Sequence, residues 1–304
     1  MKIRELREEG KCLLSCLADL PDLSRVSPEQ IAKEVDLLLL FTLAGNAERD
    51  LSWLLINLDA EVSDQQKDQA ISFFKRRAGS EPIASIFGKK EFFGRMFKVS
   101  SDVLIPRPET ELLVELSLEK ARTLERPILV LEMGVGSGCV IVSLALELRQ
   151  EKSIEYWASD ISTKALEVAK SNADQHECRD RIKWFSGDLF KAFPQLDDRF
   201  KSLLVVSNPP YISKGEALPR DVSQFEPAQA LFAGKEGFEI IEQIVQGVGG
   251  FSKGLAGFLL LEIGYTQGSS ALDISRISGL GEGFELHKDL AGHDRVAEIK
   301  LPEF

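Results

Sequence analysis

Four cysteines and three histidines in 304 residues leave little material for a disulfide framework or a multi-ligand metal centre. Cys12, Cys16, Cys139 and Cys178 are scattered, and the first two stand at helical spacing rather than in a metal knuckle, so all four read as reduced core thiols. His176, His287 and His293 share no ligand spacing, and no metal is expected. Basic residues are outnumbered, 37 against 48, for a net charge of −11. Both the stretch before residue 90 and the stretch after it are acidic, which weighs against a partner held by many phosphate contacts. The longest apolar run, Leu37 to Ala44, is too short to span a bilayer. The charged start MKIRELREEGK lacks the apolar centre of a secretion signal. The expectation is a cytoplasmic protein that touches neither membrane nor, directly, nucleic acid. No Ser-His-Asp or Cys-His arrangement stands out, and there is no internal repeat.

What is present suits a folded chain: 44% hydrophobic and 28% charged residues, at a length favouring one ordinary domain with a smaller companion. Residues 1–80 read as a small helical domain. Its start signals are Ser27-Pro28-Glu29-Gln30 and Ser63-Asp64-Gln65-Gln66, and Ile31, Val35, Leu38 and Leu39 share one helical face after the first. Such a domain packs without chemistry or recognises a substrate; the pattern leaves both open. Residues 81–105 turn to short aromatic and β-branched stretches with Gly88 and Gly94, a hairpin-like connector. Pro106-Arg107-Pro108-Glu109-Thr110-Glu111 then opens a helix. From 106 to 304, apolar runs alternate with helical patterns: ILVLEM, IEYWAS, IKWFS, LLVVS and FLLLEI. Continuous apolar runs mark strands buried on both faces, and the alternation predicts an α/β doubly wound, mostly parallel sheet. FELHKDL and RVAEIKL could add an antiparallel pair at one edge.

The first buried run leads into Glu132-Met133-Gly134-Val135-Gly136-Ser137-Gly138 and then a helix. A strand, a glycine loop and a helix amino end bring backbone N–H groups close to a ligand. Dinucleotide binding needs a third small residue where Cys139 stands, which disfavours an NAD-dependent oxidoreductase. The GxGxG spacing instead suits the amino-acid part of S-adenosylmethionine, which has no pyrophosphate. Asp160 ends the second run, where a carboxylate can accept both ribose hydroxyls or cap the next helix. Asp188 and Leu189 close the third run, where an adenine would lie.

The fourth run delivers Asn208-Pro209-Pro210-Tyr211 at the sheet edge where α/β folds bind ligands. Two prolines stiffen the backbone and remove two donors, so their carbonyls only accept. An amide or aryl amine is a poor nucleophile because its lone pair is delocalised. Acceptors at the Asn208 side chain and the Pro209 carbonyl would aim that lone pair at a sulfonium methyl, and both bonds strengthen as the nitrogen becomes positive. Tyr211 would pack on the planar group and the sulfonium. These residues point to methylation of an amide or exocyclic amino nitrogen.

Several segments carry a family resemblance: EPIASIFGKKEFFG, IPRPETELLVE, the glycine loop, VVSNPPYI, FEPAQALFAGKEG and DLAGHDR. The sequence resembles the peptide-chain release factor glutamine methyltransferases, called PrmC or HemK. That likeness implies a seven-stranded Rossmann-like S-adenosylmethionine-dependent domain, joined by a β-hairpin to an all-helical amino-terminal domain that recognises substrate. It implies, as substrate, the glutamine of the Gly-Gly-Gln motif of class I release factors, methylated at the side-chain nitrogen by a cytoplasmic monomer. Cofactor contacts would fall at Glu132, Gly134, Val135, Gly136, Ser137, Gly138, Asp160, Asp188, Leu189 and Asn208. Substrate contacts would fall at Asn208, Pro209, Pro210 and Tyr211. The family's usual Asp-Leu-Gly is Glu132-Met133-Gly134 here, and Leu189 takes a place that can be aromatic. Rival readings are a ribosomal-protein glutamine methyltransferase and an adenine- or cytosine-amino nucleic-acid methyltransferase.

Overall fold

The computed structural model describes residues 1–20, 25–44, 50–252 and 254–302. The chain divides into two compact units, one formed by Met1–Lys89 with Ala217–Glu226, the other by Lys90–Glu216 and the chain from Pro227 onward.

The first unit is helical: α1 (Ile3–Leu14), α2 (Pro28–Ala44), α3 (Leu51–Ile56), α4 (Asp64–Ala78) and α5 (Ile83–Phe87). Both serine start signals operate. Ser63 and Gln66 cap reciprocally, each side chain accepting from the other's backbone N–H at 3.2 and 3.0 Å. Ser27 Oγ accepts from Gln30 N–H at 3.2 Å, but the Gln30 amide turns to Glu34 instead of closing the box. Ile31, Val35, Leu38 and Leu39 are buried as their spacing requires. The cysteine reading needs correction. Cys139 and Cys178 are buried, but Cys12 and Cys16 are exposed: α1 turns Ile3, Leu6, Gly10 and Leu14 inward and leaves Cys12 off that face, and the turn after it buries Leu17 rather than Cys16.

In the second unit the hairpin is shorter than the 81–105 connector suggested, β1 (Lys89–Phe92) with β2 (Arg95–Lys98), because α5 occupies the front of that stretch. Phe92 and Phe97 anchor it in the apolar core. In chain order follow α6 (Glu111–Thr123), β3 (Ile128–Met133), α7 (Cys139–Glu147), β4 (Ile154–Asp160), α8 (Thr163–Gln175), β5 (Ile182–Ser186), β6 (Ser202–Ser207) and β7 (Ile212–Ser213). A short helix, α9 (Arg220–Ser223), lies in the segment that packs with the first unit. Then come α10 (Ala228–Leu231), β8 (Phe232–Gly234), α11 (Glu239–Ser252), β9 (Ala256–Glu262), α12 (Gly268–Ile277), β10 (Phe284–Lys288) and β11 (Asp294–Leu301).

The main sheet has seven strands in the order β10-β11-β9-β6-β3-β4-β5. Strands β9, β6, β3, β4 and β5 run parallel, and β11 pairs antiparallel with both β9 and β10. This is the Rossmann-like arrangement. Every residue of β3 and β6 is buried, which is why both read as unbroken apolar runs. Alternate β3 residues feed opposite cores, Ile128 and Val130 on one face, Leu129, Leu131 and Met133 on the other.

Candidate active site

The chain leaves β3 towards β4 on one side and returns as β6 on the other, so the strand order reverses beside β3. A crevice opens at the carboxyl ends of strands at such a point. Register aligns these ends: Met133 of β3 lies opposite Ser159 of β4 and Ser207 of β6. Ser207 Oγ donates to the Met133 carbonyl at 2.8 Å, tying two of them together. The glycine loop, Asp160 and Asn208 therefore emerge side by side around a cavity of about 270 Å³.

Gly134, Gly136 and Gly138 have φ of +70°, +52° and +78°. Gly134 and Val135 donate their N–H groups to the Ser159 carbonyl at 2.9 and 3.1 Å. At Gly138 a Cβ would lie 2.9 Å from Ala169 Cβ, so α7 can start close to α8 only without one. At Gly134 and Gly136 a Cβ would meet nothing within 4 Å, which leaves the space over the loop free for a ligand. Asn172, buried on α8, supports the loop from behind. Its Nδ2 donates to the carbonyls of Ser137 at 2.8 Å and Lys98 at 3.0 Å, and its Oδ1 accepts from Lys98 N–H at 2.7 Å.

Asp160 divides its carboxylate between two loops. Oδ2 accepts from Gly136 N–H at 3.0 Å and Oδ1 from Ser162 N–H at 2.8 Å. The cap of α8 is a different residue, Ser162, whose Oγ accepts from Ala165 N–H at 3.2 Å. Burial pushes the Asp160 carboxyl above the usual range, and the backbone donors at Gly136, Ser162 and Ile161 pull the other way. Each oxygen keeps a further lone pair for a ligand hydroxyl.

Glu132 does more than its neighbours in the motif suggested. Its Oε2 accepts from Ile141 N–H at 2.8 Å and so satisfies the first turn of α7, whose capping residue is the side-chain-free Gly138. Burial pushes this carboxyl well above its ordinary value, and Asp160 adds to the rise. The cavity lining carries Asp102, Glu132, Asp160 and Asp188 against a single basic residue, Arg107. A cation fits this lining and a polyphosphate does not.

Asp188 and Leu189 also line the cavity. Leu189 has φ +45°, a left-handed backbone that a leucine adopts only when its surroundings fix it. Of the Asn-Pro-Pro-Tyr run, Asn208, Pro209 and Pro210 line the cavity, and so do Pro106, Arg107 and Thr110 from the IPRPETE segment. Tyr211 is not in the lining. Its ring packs on the apolar core beneath the sheet, and burial pushes the phenol up to about 12. Asn208 Nδ2 donates to Thr110 Oγ1 at 3.2 Å.

Gln267 belongs to no motif, yet it fixes the path after the prolines. Its Nε2 donates to the carbonyls of Tyr211 at 3.0 Å and Gly237 at 2.9 Å, and its Oε1 accepts from Gly264 N–H at 2.9 Å. Outside the cavity, ligand atoms of Glu285, His287 and Glu298 lie within 4.8 Å of one another. Glu298 is already matched there by Lys120 at 2.7 Å and His287 Nε2 at 2.8 Å.

Residues 130–220 match the methyltransferase domain family. A bifunctional methyltransferase of Rickettsia prowazekii (strain Madrid E) is 36% identical over 273 residues, 83% of this chain and 50% of that protein. The chain thus spans about half the length of that relative. A release factor glutamine methyltransferase of Neisseria gonorrhoeae (strain ATCC 700825 / FA 1090) is 40% identical over 248 residues, 80% of this chain and 85% of that protein. The chain belongs to the release factor glutamine methyltransferase family. Among solved structures, the hMettl16 catalytic domain in complex with MAT2A 3'UTR hairpin 1 shares the fold at TM-score 0.53 and 14% identity, over 89% of this chain and 91% of that one.

For a member of this family the cofactor is S-adenosylmethionine, and the cavity suits it: an acidic lining for a sulfonium and an ammonium, and open space over Gly134 and Gly136. Among the described residues, no helix is long and apolar enough to cross a membrane.

Proposed function

We propose that the chain methylates the side-chain amide nitrogen of the glutamine in the Gly-Gly-Gln motif of class I release factors, as a cytoplasmic monomer. The observation that carries this reading is the extended match to the Neisseria release factor glutamine methyltransferase. The presence of Asn208, Pro209 and Pro210 in the cavity lining supports it.

When bound, S-adenosylmethionine supplies an electrophilic methyl group on a positively charged sulfur. Glu132 and Asp160 would hold the cationic amino group and the ribose, with Asp188 and Leu189 placed for the adenine and the glycine loop for the amino-acid part. Asn208 Oδ1 and the Pro209 carbonyl each accept one N–H of the substrate amide, which turns its lone pair towards the methyl. With the cofactor in place, the new N–C bond would form as its C–S bond breaks, and the methylated nitrogen would give one proton to water. Because the N–H groups become more acidic along this path, each acceptor is worth about 3–4 kcal/mol in favourable cases. No strong base is needed.

The test uses labelled cofactor and purified release factor, native and with the motif glutamine replaced. Label on the native protein alone is expected. Equal label on both, or label on ribosomal protein or an oligonucleotide instead, overturns the proposal.

A further inference from the structure

We propose that Glu262 is a positioning residue that sets the orientation of the Asn208 amide through the Thr110 hydroxyl. The inference rests on the reading that Asn208 Oδ1 receives the substrate N–H.

Strand β9 runs beside β6 with Leu261 opposite Ser207, so Glu262 stands one step on, level with Asn208. It ends an otherwise apolar strand and is 1% exposed. Its Oε2 has no hydrogen-bond partner among the described residues. A buried carboxyl in that state is costly, and a polar group kept at such a cost beside a site calls for a role there. The Thr110 hydroxyl is close enough to this carboxyl to favour its ionised form. Thr110 is itself 3% exposed and accepts from Asn208 Nδ2 at 3.2 Å.

A hydroxyl has one proton to give. While that proton is directed to the Glu262 carboxylate, Thr110 Oγ1 can only accept from Asn208. The amide must then present its NH2 to Thr110 and its Oδ1 to the cavity. If residue 262 becomes a donor, as a protonated acid or as glutamine, the threonine proton is released to Asn208 Oδ1. The amide can then turn over, and its NH2 would meet the NH2 of the substrate, donor against donor. Glu262 thus fixes the direction of a three-residue chain whose far end does the work.

The ionised form is the competent one. Burial pushes Glu262 up to about 7; Thr110, Arg295 and Arg107 pull it down, and Glu109 pushes it up. The buried Tyr211 phenol also feels the Glu262 charge. Turnover limited by this chain therefore rises with pH through neutrality.

The experiment compares the full chain with Glu262→Gln, Thr110→Val and Thr110→Ser. It measures kcat on purified release factor at saturating cofactor on both sides of neutral pH, together with the Kd for S-adenosylhomocysteine. Expected are kcat losses of about tenfold or more in Glu262→Gln and Thr110→Val, an unchanged Kd, loss of the pH limb in Glu262→Gln, and recovery in Thr110→Ser. Wild-type kcat and pH limb in Glu262→Gln, or equal loss in both threonine variants, overturns the inference. So does a kcat loss matched by loss of cofactor binding. If Glu262→Gln does not fold, the threonine pair decides. A wild-type chain inactive on release factor refutes the proposed function instead. Neutron diffraction of the wild type then still decides the inference, which is overturned by Asn208 Oδ1 facing Thr110.

Discussion

Asp160→Asn is a sharp test of how the cofactor loop is held, because it keeps the shape and changes only one atom and one charge. The carboxylate accepts from Gly136 and Ser162 on separate oxygens and is 9% exposed. An asparagine can offer an acceptor to one of these N–H groups, and its NH2 must then face the other. A charge-assisted hydrogen bond is lost within the loop, at about 1.5–3 kcal/mol, partly offset because a buried charge has gone. With cofactor bound, the ribose hydroxyl on the converted oxygen loses its acceptor too. A further loss of about 1.5–3 kcal/mol corresponds to roughly 10–150-fold in Kd. Calorimetric titration with S-adenosylhomocysteine measures this, with thermal unfolding to show that the chain is folded. A folded variant whose Kd stays within about threefold of wild type would refute the claim that this carboxylate holds both loop and ribose.

Under the proposed function Asn208→Ala removes an acceptor for the substrate amide and should lower kcat by about 10²–10³, read by methyl transfer to release factor, with cofactor Kd little changed. Gly138→Ala places a side chain at φ +78° and 2.9 Å from Ala169 Cβ. The left-handed backbone costs about 1–2 kcal/mol and the overpacking about 1–3 kcal/mol, so denaturant unfolding should show a loss of about 2–5 kcal/mol. Glu262 imposes a pH dependence on stability as well. Its ordinary value of 4.5 holds in the unfolded chain and about 7 in the folded one. Between these the folded chain holds a proton that the unfolded chain has lost, so stability of the cofactor-free protein falls as pH rises across the window. This group contributes up to about 3 kcal/mol to the fall, which Glu262→Gln should abolish in urea titrations at stepped pH.

The parts of this molecule that sequence reveals are those whose chemistry lies in adjacent residues. The five parallel strands are readable because β3 and its neighbours are covered on both faces, which forces unbroken apolar runs. The glycine loop is readable because a tight turn into α7 needs residues that accept positive φ. Tyr211 is different. Its motif says nothing of which way the ring turns once the chain has left the two prolines, and the bonds from Gln267 help to set that path.

The same distinction separates the two buried acids. Glu132 lies inside the motif, so its presence near a cofactor is expected from sequence. Its second task, capping α7 through Ile141, requires knowing that the helix folds back over the strand that carries it. Glu262 has no motif at all and reads as the polar end of an apolar strand. It comes level with Asn208 only because Leu261 pairs with Ser207 across residues far apart in the chain. Register is set by the whole sheet rather than by local pattern, and a one-residue slip would carry Glu262 to the opposite face. The groups proposed to touch a ligand are therefore legible as motifs, whereas the group proposed to orient them becomes visible only when the strands are laid side by side.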